Sequence, residues 1–192
     1  MDNREERIDE IGMGGFKVIQ GDGFSYGVDA VLLAAFASGE TGAKPIRSRI
    51  PARIADLGTG NGVVPFILAH KLPLSQIVGI EKNRVSLDRA IRGREINNLN
   101  DRISFVLSDV AVAGAELCRK ADAVVSNPPY VPAEAIEDAE TARYDPDRAL
   151  FGGGEDGLAV PCAVVHRAAG LLRPGGALVM EHDPRQGGEL RD

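Results

Sequence analysis

The stretch RIADLGTGNG, residues 53 to 62, decides the fold. The apolar pair Ile54 and Ala55 leads to Asp56, and glycines then follow at every second position, at Gly58, Gly60 and Gly62. Glycine lets a backbone turn sharply and approach a ligand closely. The spacing differs from the G-x-G-x-x-G fingerprint of dinucleotide sites. A strand that turns through glycines into the apolar stretch GVVPFILAHKL predicts the first strand and helix of an α/β sheet.

The rest of the chain repeats this alternation. Further strands are expected at QIVGIE, RISFVLSD, ADAVVSN and ALVMEH, and further helices at NRVSLDRAIRGREINN and GLAVPCAVVHRAAGLL, with a turn at RPGG. Apolar strands that alternate with helices favour a mostly parallel sheet with both faces covered. Ligands of such sheets bind beyond the carboxyl ends of the strands, where the strand order reverses. The functional residues are therefore expected in the loops that follow strands.

The chain divides into two segments in this interpretation. Residues 1–50 contain a short strand within IGMGGFKVIQ and an apolar helix at VDAVLLAAFA, followed by a linker that is rich in glycine, proline and charge. Glycine and proline together are the strongest local signals for a break between elements. Residues 51–192 are expected to form the α/β domain, with five core strands.

Composition and charge exclude several functional classes. The chain has 192 residues, no run of eighteen apolar residues and a charged start, so neither a membrane span nor a signal peptide is expected. Cys118 and Cys162 lie far apart without metal-ligand spacing, so we expect free thiols, a cytoplasmic protein and no metal. The net charge of −6 does not indicate nucleic-acid binding. The basic residues within 82–94 and 44–53 could still face an RNA backbone, or form ordinary solvated surface.

Acidic residues follow three of the predicted strands. Asp56 stands beside the glycine turn, where a carboxylate suits a ligand with a cationic amino-acid group better than a diphosphate. Glu81 follows the second core strand and could accept hydrogen bonds from two ribose hydroxyls. Asp109 follows the third and could accept one from an adenine amine. One acid at a strand end is usually a turn former, but three in register predict an adenosine that carries a charged amino-acid tail.

The fourth core strand ends in NPPY, residues 127 to 130. The Asn127 side chain carries an amide acceptor and an amide donor. Because proline fixes the backbone and contributes no N–H, the carbonyl of Pro128 is held rigidly and is free to accept a hydrogen bond. Tyr130 offers a flat face on which a planar group can stack. We interpret this loop as a site that orients a planar nitrogen, in preference to a merely rigid turn.

Together, DLGTGNG, Glu81, Asp109 and NPPY resemble the class I S-adenosylmethionine-dependent N-methyltransferases, over roughly residues 53 to 181. The resemblance implies a Rossmann-like sheet, S-adenosylmethionine as cofactor and methyl transfer to a planar nitrogen. The cofactor site that it implies consists of Asp56, Gly58, Thr59, Gly60, Asn61, Gly62, Glu81, Lys82, Asp109, Val110 and Asn127. The catalytic set that it implies consists of Asn127, Pro128, Pro129 and Tyr130.

Two branches of this family compete for the substrate. GFKVIQGDGFSYGVDAVLLAAFA and IVGIEKNRVSLDRAIRGREINNLNDRISF resemble the bacterial tRNA(Val) adenine methyltransferases, which implies tRNA as the preferred partner and an exocyclic adenine amine as the acceptor. YDPDRALFGGGEDGL resembles the release-factor glutamine methyltransferases, which implies a glutamine amide of a release factor as the alternative. An inactive cofactor-binding module is a third hypothesis. A nicotinamide dehydrogenase is a fourth, disfavoured by the glycine spacing and by NPPY.

The last core strand is expected to lie at an edge of the sheet. The family's sheet normally has two more strands, which form an antiparallel hairpin, but only ten residues follow ALVMEH. An exposed apolar edge invites pairing with another chain. We therefore expect a truncated or hybrid chain, a homodimer formed through this edge, or a monomer in which N-terminal residues cover it.

Overall fold

The computed structural model describes residues 6–21, 26–42, 46, 51–112, 117–132 and 152–191. The elements in chain order are β1 (Glu6–Glu10), β2 (Lys17–Gly21), α1 (Val28–Ser38), β3 (Arg53–Leu57), α2 (Val63–Lys71), β4 (Gln76–Glu81), α3 (Arg84–Ile96), β5 (Ile103–Leu107), β6 (Ala121–Ser126), α4 (Ala159–Leu171), β7 (Leu172–Met180) and a 3₁₀ helix (Pro184–Gln186). They include all five predicted core strands. None of the described helices is long and apolar enough to cross a membrane.

The core strands form one sheet in the order β5-β4-β3-β6-β7, and every neighbouring pair is parallel. The chain moves outward from β3 through β4 to β5, and then returns to the other side of β3 to form β6 and β7. The strand order therefore reverses between β3 and β6. The α/β fold expected from the alternation of strands and helices is confirmed, and the loops after β3 and β6 flank its switch point.

Alternating residues of the strands build two apolar layers, one on each face of the sheet. Ile54 of β3 packs with buried residues of α1 and α2. Its neighbours Ala55 and Leu57 pack on the opposite face with residues of α4. Helices that cover both faces of a parallel sheet exclude water from its strands. This arrangement leaves the ends of the strands as the places where polar residues can gather.

An antiparallel hairpin of β1 and β2 precedes the sheet. The sequence interpretation missed β1, because ERIDE is charged and largely exposed and carries no apolar alternation. Glu6 holds the hairpin to α3, since it accepts hydrogen bonds from Arg89 Nε at 3.0 Å and from both terminal nitrogens of Arg92 at 2.8 Å. The Arg92 hydrogen bond is the main reason that the pKa of Glu6 falls to about 2. Arg89 and Arg92 are thus ion-paired with the hairpin.

Gly21, at the end of β2, makes room for this contact. A Cβ at Gly21 would lie 2.0 to 2.7 Å from three atoms of the Arg89 guanidinium. The Asn97 side chain, just beyond α3, adds two hydrogen bonds to the hairpin by accepting from Lys17 N at 2.8 Å and donating to Lys17 O at 2.7 Å. Ion pairs of Glu6 and side-chain hydrogen bonds to the Lys17 backbone therefore hold the hairpin against α3.

The outer edge of β7 pairs with no strand in the part of the chain that the structure describes. The hairpin lies on α3, and α1 packs against one face of β6 and β7 instead of along the edge. The described N-terminal residues therefore do not cover this edge. The expected RPGG turn appears as an irregularity inside β7, where the pairing shifts between Ala121↔Leu172 and Ala123↔Ala177.

We expect Gly79→Ala to lower the free energy of unfolding by about 1–3 kcal/mol, because extra atoms in a packed core force their neighbours to move. A Cβ at Gly79 would lie 2.6 Å from two ring atoms of Phe105 and 2.8 Å from Thr59 Oγ1. Urea denaturation measures the change. Gly170→Ala in α4 is the matched control, since no heavy atom lies within 4 Å of its Cβ position. This control should gain up to about 1 kcal/mol from helix propensity; equal behaviour of the two variants would contradict the packing described here.

Candidate functional site

The carboxyl ends of the core strands lie side by side. Leu57 of β3 pairs with Ile80 of β4, and Glu81 pairs with Leu107 of β5. At the switch point, the buried Ser126 Oγ at the end of β6 donates a hydrogen bond of 2.6 Å to the carbonyl of Leu57. The sequence interpretation did not single out Ser126. This bond joins the strand that precedes the glycine loop to the strand that precedes NPPY.

The glycine loop turns at once after β3. Gly58 N and Thr59 N both donate to the carbonyl of Ile80, at 2.9 and 3.0 Å. Gly58, Gly60 and Gly62 all have left-handed backbone angles, with φ of 78°, 56° and 88°, which other residues rarely adopt. Gly58 is exposed, and a Cβ there would meet no atom within 4 Å. The turn therefore needs glycine for its conformation, and its exposed side has open space that a ligand can enter.

Asp56 lies beneath the glycine loop instead of beside it. Its side chain is 1 % exposed and accepts a hydrogen bond of 2.6 Å from Thr59 Oγ1. Burial raises the pKa of Asp56 to about 7, against the opposing effect of the Thr59 hydrogen bond and with a further contribution from the charge of Glu81. Because burial makes the charged form of this carboxyl costly, a cation placed near it would strongly favour its ionisation.

Glu81 is joined directly to the glycine loop. Its Oε2 accepts from Gly60 N at 2.9 Å, and its Oε1 accepts from Asn83 N at 2.7 Å. Each carboxylate oxygen can accept a second hydrogen bond. The half-buried Glu81 is therefore held in a fixed orientation, with acceptor capacity left for two hydroxyl groups.

Asp109 stands on the next strand end. Ser108 N donates to the carbonyl of Glu81 at 3.0 Å, which places the end of β5 beside Glu81. The Asp109 side chain is exposed and accepts from Ala111 N through Oδ1 at 2.9 Å. Its second oxygen takes part in no hydrogen bond with the described residues. The structure thus brings Asp56, Glu81 and Asp109 together at one edge, as the sequence predicts.

Three other residues of the expected cofactor set have different surroundings. Asn61 is buried, and its Nδ2 donates to the carbonyl of Ile19 in β2 at 3.3 Å, so its side chain fastens the loop to the N-terminal hairpin. Lys82 is exposed directly after Glu81. Val110 is half-buried against the apolar layer beneath α4. A contact between each of them and a cofactor stays a prediction.

The NPPY loop follows β6 on the other side of the switch point. Pro128 is buried, while Asn127, Pro129 and Tyr130 are half-buried. The Asn127 side chain makes no hydrogen bond with any of the described residues. The Tyr130 hydroxyl donates to Glu181 Oε1 at 3.0 Å. None of the described residues therefore occupies this amide group, which lies at the edge where the acids are.

Glu181 and Gln186, which follow β7, are the functional candidates that the sequence interpretation missed. Glu181 contacts the Tyr130 hydroxyl, and Gln186 Nε2 donates to the Tyr130 carbonyl at 3.0 Å. Burial, the Glu181 hydrogen bond and the charges of Glu181, Asp29 and Asp183 together raise the pKa of Tyr130 to about 12. The sequence pattern could have revealed Glu181, since it is another acidic residue directly after a core strand.

The GGGEDG loop, residues 152–157, also packs against the NPPY loop. Most of YDPDRALFGGGEDGL lies outside the described residues, and the structure describes it from Gly152 onward. Gly152 N donates to the carbonyl of Val131 at 3.1 Å. A Cβ at Gly157 would lie 2.4 Å from the carbonyl oxygen of Tyr130. Glycine is required here because two backbone segments touch.

These residues fit an adenosine with a cationic amino-acid tail. Such a ligand needs open space and hydrogen-bond acceptors, and these are offered by the open side of Gly58, the oriented carboxylate of Glu81 and the buried carboxyl of Asp56. Within the described ranges, no group of three or more His, Cys, Asp or Glu residues could hold a metal ion. The site is thus built from backbone turns, carboxyl groups and one amide.

Two curated proteins of the same name are similar to this chain in sequence. The chain is 38% identical over 143 residues to a release factor glutamine methyltransferase of Mycobacterium leprae, covering 70% of this chain and 48% of that protein. It is 41% identical over 142 residues to the protein of the same name from Mycobacterium tuberculosis, covering 70% and 45%. The chain therefore spans about half the length of these curated relatives.

Solved structures share the fold at lower identity. A predicted O-methyltransferase from Agrobacterium tumefaciens superposes with a TM-score of 0.58 at 22% identity, covering 84% of this chain and 64% of that one. A putative S-adenosylmethionine-dependent methyltransferase from Methanococcus maripaludis gives 0.52 at 16% identity, covering 84% and 62%. A family model described as the methyltransferase small domain matches residues 41–144. The expected class I fold and S-adenosylmethionine as cofactor are confirmed, and the chain belongs to the methyltransferase small domain family.

Proposed function

We propose that this domain binds S-adenosylmethionine at the glycine loop and methylates the side-chain amide nitrogen of a glutamine in a peptide-chain release factor. The observation that carries the proposal is the available Asn127 amide at the switch point, opposite a glycine loop with two carboxyl groups. The names of the curated relatives support the glutamine acceptor over the tRNA adenine that the N-terminal resemblance favours.

The cofactor's parts have distinct partners in this proposal. The buried carboxyl of Asp56 attracts the amino group, Glu81 accepts from the ribose hydroxyls and Asp109 accepts from the adenine amine. The backbone at Gly58 and Gly60 borders the amino-acid end. When bound, the cofactor supplies an electrophilic methyl group on a sulfonium. The chain's own task is to hold an acceptor nitrogen in line with that methyl group.

Asn127 and Pro128 perform this task through two acceptors. One N–H of the acceptor amide donates to the Asn127 side-chain oxygen and the other donates to the Pro128 carbonyl. Because both partners are fixed, the nitrogen lone pair turns towards the methyl group and the nitrogen is favoured in a pyramidal geometry. This is catalysis by positioning and preorganised dipoles. No strong general base is needed, because a nitrogen that has become cationic loses its proton readily.

The charges around Tyr130 favour a neutral acceptor. Asp29, Glu181 and Asp183 all lie close enough to raise the pKa of Tyr130 after burial has done so. A phosphate backbone brought to this loop would be repelled by the same charges, and nucleic-acid binding needs clustered cations. Arg89 and Arg92, the central part of the basic stretch, are ion-paired with Glu6. A glutamine amide avoids this repulsion.

Labelled S-adenosylmethionine should transfer its methyl group to a release factor that contains a GGQ motif, and not to bulk tRNA. Scintillation counting of the separated acceptors measures the transfer. Label in tRNA alone would refute the glutamine proposal and restore the adenine hypothesis. Measurable cofactor binding without label in either acceptor would identify an inactive binding module.

Asn127→Ala should lower methyl transfer by about 100-fold or more, because it removes a fixed dipole that acts on the reacting nitrogen. Its affinity for S-adenosylhomocysteine, measured by calorimetry, should stay near that of the wild type. Asn100→Ala is the matched control, since Asn100 is exposed after α3 and far along the chain from the loop. A comparable loss of cofactor affinity in Asn127→Ala would show that Asn127 serves the cofactor instead of the acceptor.

Cofactor affinity should depend on pH through Asp56. Its pKa of about 7 means that the carboxyl keeps its proton below that pH in the free protein. A ligand ammonium favours the carboxylate, so binding releases the proton. Calorimetric affinity for S-adenosylhomocysteine should therefore rise with pH up to about 7, by as much as roughly tenfold per pH unit, and then level off.

Two variants make this pH profile specific. Asp56→Asn cannot titrate and should bind with a flat profile. Asp109→Asn should retain the wild-type profile even if its affinity is lower at every pH, because Asp56 is intact. An unchanged slope in Asp56→Asn would assign the pH dependence to another group and contradict the role given to Asp56.

A further inference from the structure

Tyr130 is held at both ends by residues that follow β7. Its hydroxyl donates to Glu181 Oε1, and its carbonyl accepts from Gln186 Nε2, each at 3.0 Å. Gln186 is only 6 % exposed, and the same nitrogen donates to the carbonyl of Asp156 at 3.1 Å. One side chain therefore joins the NPPY loop to the GGGEDG loop.

The segment 181–186 is itself fixed at its start and its end. Glu181 N donates to the carbonyl of Ser126 at 3.1 Å, at the last residue of β6. At the other end, Asp183 begins the 3₁₀ helix with a capping box. Its side chain accepts from Arg185 N at 2.8 Å, and Gln186 Oε1 accepts from Asp183 N at 3.3 Å. Gln186 thus presents its Nε2 in one orientation.

We propose that the segment 181–186 is a clamp that positions the acceptor loop 126–132, with Glu181 and Gln186 as positioning residues. The inference rests on the proposed function, because it concerns the loop that would hold the acceptor nitrogen. Asn127 and Pro128 lie three and two residues before Tyr130, and prolines on both sides of Tyr130 keep this backbone rigid. Holding Tyr130 therefore holds the two acceptors that orient the amide.

The clamp acts on methyl transfer without touching the cofactor residues. Displacing a reacting group by about 1 Å can cost two orders of magnitude in rate. Within the described residues, no hydrogen bond of Glu181 or Gln186 reaches the glycine loop, Glu81 or Asp109. Loss of the clamp should thus lower kcat and leave cofactor affinity unchanged.

The experiment compares variants of the whole chain in which the contacts of one clamp residue are removed at a time. Glu181→Ala and Tyr130→Phe remove the same hydrogen bond from opposite sides, and Gln186→Ala removes both carbonyl contacts. Glu181→Gln is the conservative variant, since its amide oxygen can still accept from Tyr130. Glu189→Ala, exposed in the same region of the chain, is the matched control. Hydrogen exchange of the peptide 126–132, affinity for S-adenosylhomocysteine, and kcat and KM for transfer are measured for each.

Gln186→Ala and Glu181→Ala should exchange the amides of 126–132 roughly fivefold faster, as expected for one lost hydrogen bond. Their kcat should fall about tenfold or more with cofactor affinity retained. Glu181→Gln should restore most of the rate, and the double variant of Tyr130→Phe and Glu181→Ala should be no slower than the worse single variant. Glu189→Ala should match the wild type in every measurement.

The clamp, its positioning role and the proposed function would each be contradicted by a different result. Unchanged exchange at 126–132 in Gln186→Ala and Glu181→Ala would overturn the clamp, whether or not the protein transfers methyl groups. Faster exchange with a wild-type kcat would overturn the positioning role. A wild-type protein that labels no release factor would refute the proposed function, while the exchange measurement would still decide whether 181–186 holds the loop.

Discussion

The hydrogen bond from Ser126 Oγ to the Leu57 carbonyl joins β3 and β6 where the strand order reverses. A parallel sheet places all of its carboxyl ends at one edge, and a reversal opens a crevice between the loops that leave it. The glycine loop leaves on one side of this bond and NPPY on the other. In the proposed function, the separation of the methyl donor from its acceptor is therefore set by two adjacent, hydrogen-bonded strands instead of by long loops.

Three carboxyl groups lie at the site, and each has a different environment. Asp56 is buried and has a raised pKa, Glu81 is oriented by two backbone amides, and Asp109 is exposed. In the proposed function, these differences suit the three carboxyl groups to an amino group, two hydroxyls and an amine. Their charge, with that of Glu181 beyond β7, would disfavour a phosphate-bearing acceptor. The proposal thus links the cofactor and the substrate through electrostatics.

Local pattern was enough to predict the five core strands, the strand-end acids and the NPPY loop, because each is encoded within a few neighbouring residues. The features that it missed depend on distant partners. β1 is a charged segment that pairs with β2, and Arg89 and Arg92 hold its first residue, Glu6. Gln186 matters because its side chain reaches Tyr130, 56 residues earlier. The basic stretch was ambiguous for the same reason, since its ion pairs are made with Glu6, 83 and 86 residues earlier in the chain.

The central claim is that NPPY orients a glutamine amide for methyl transfer. The test is to incubate a release factor with this protein and methyl-deuterated S-adenosylmethionine. Fragment mass spectrometry then identifies the chemical group that carries the label. The account predicts a single deuterated methyl on the side-chain nitrogen of one glutamine. A deuterated methyl on a carboxylate, hydroxyl or lysine, or an unlabelled release factor beside an adenine-labelled tRNA, would contradict it.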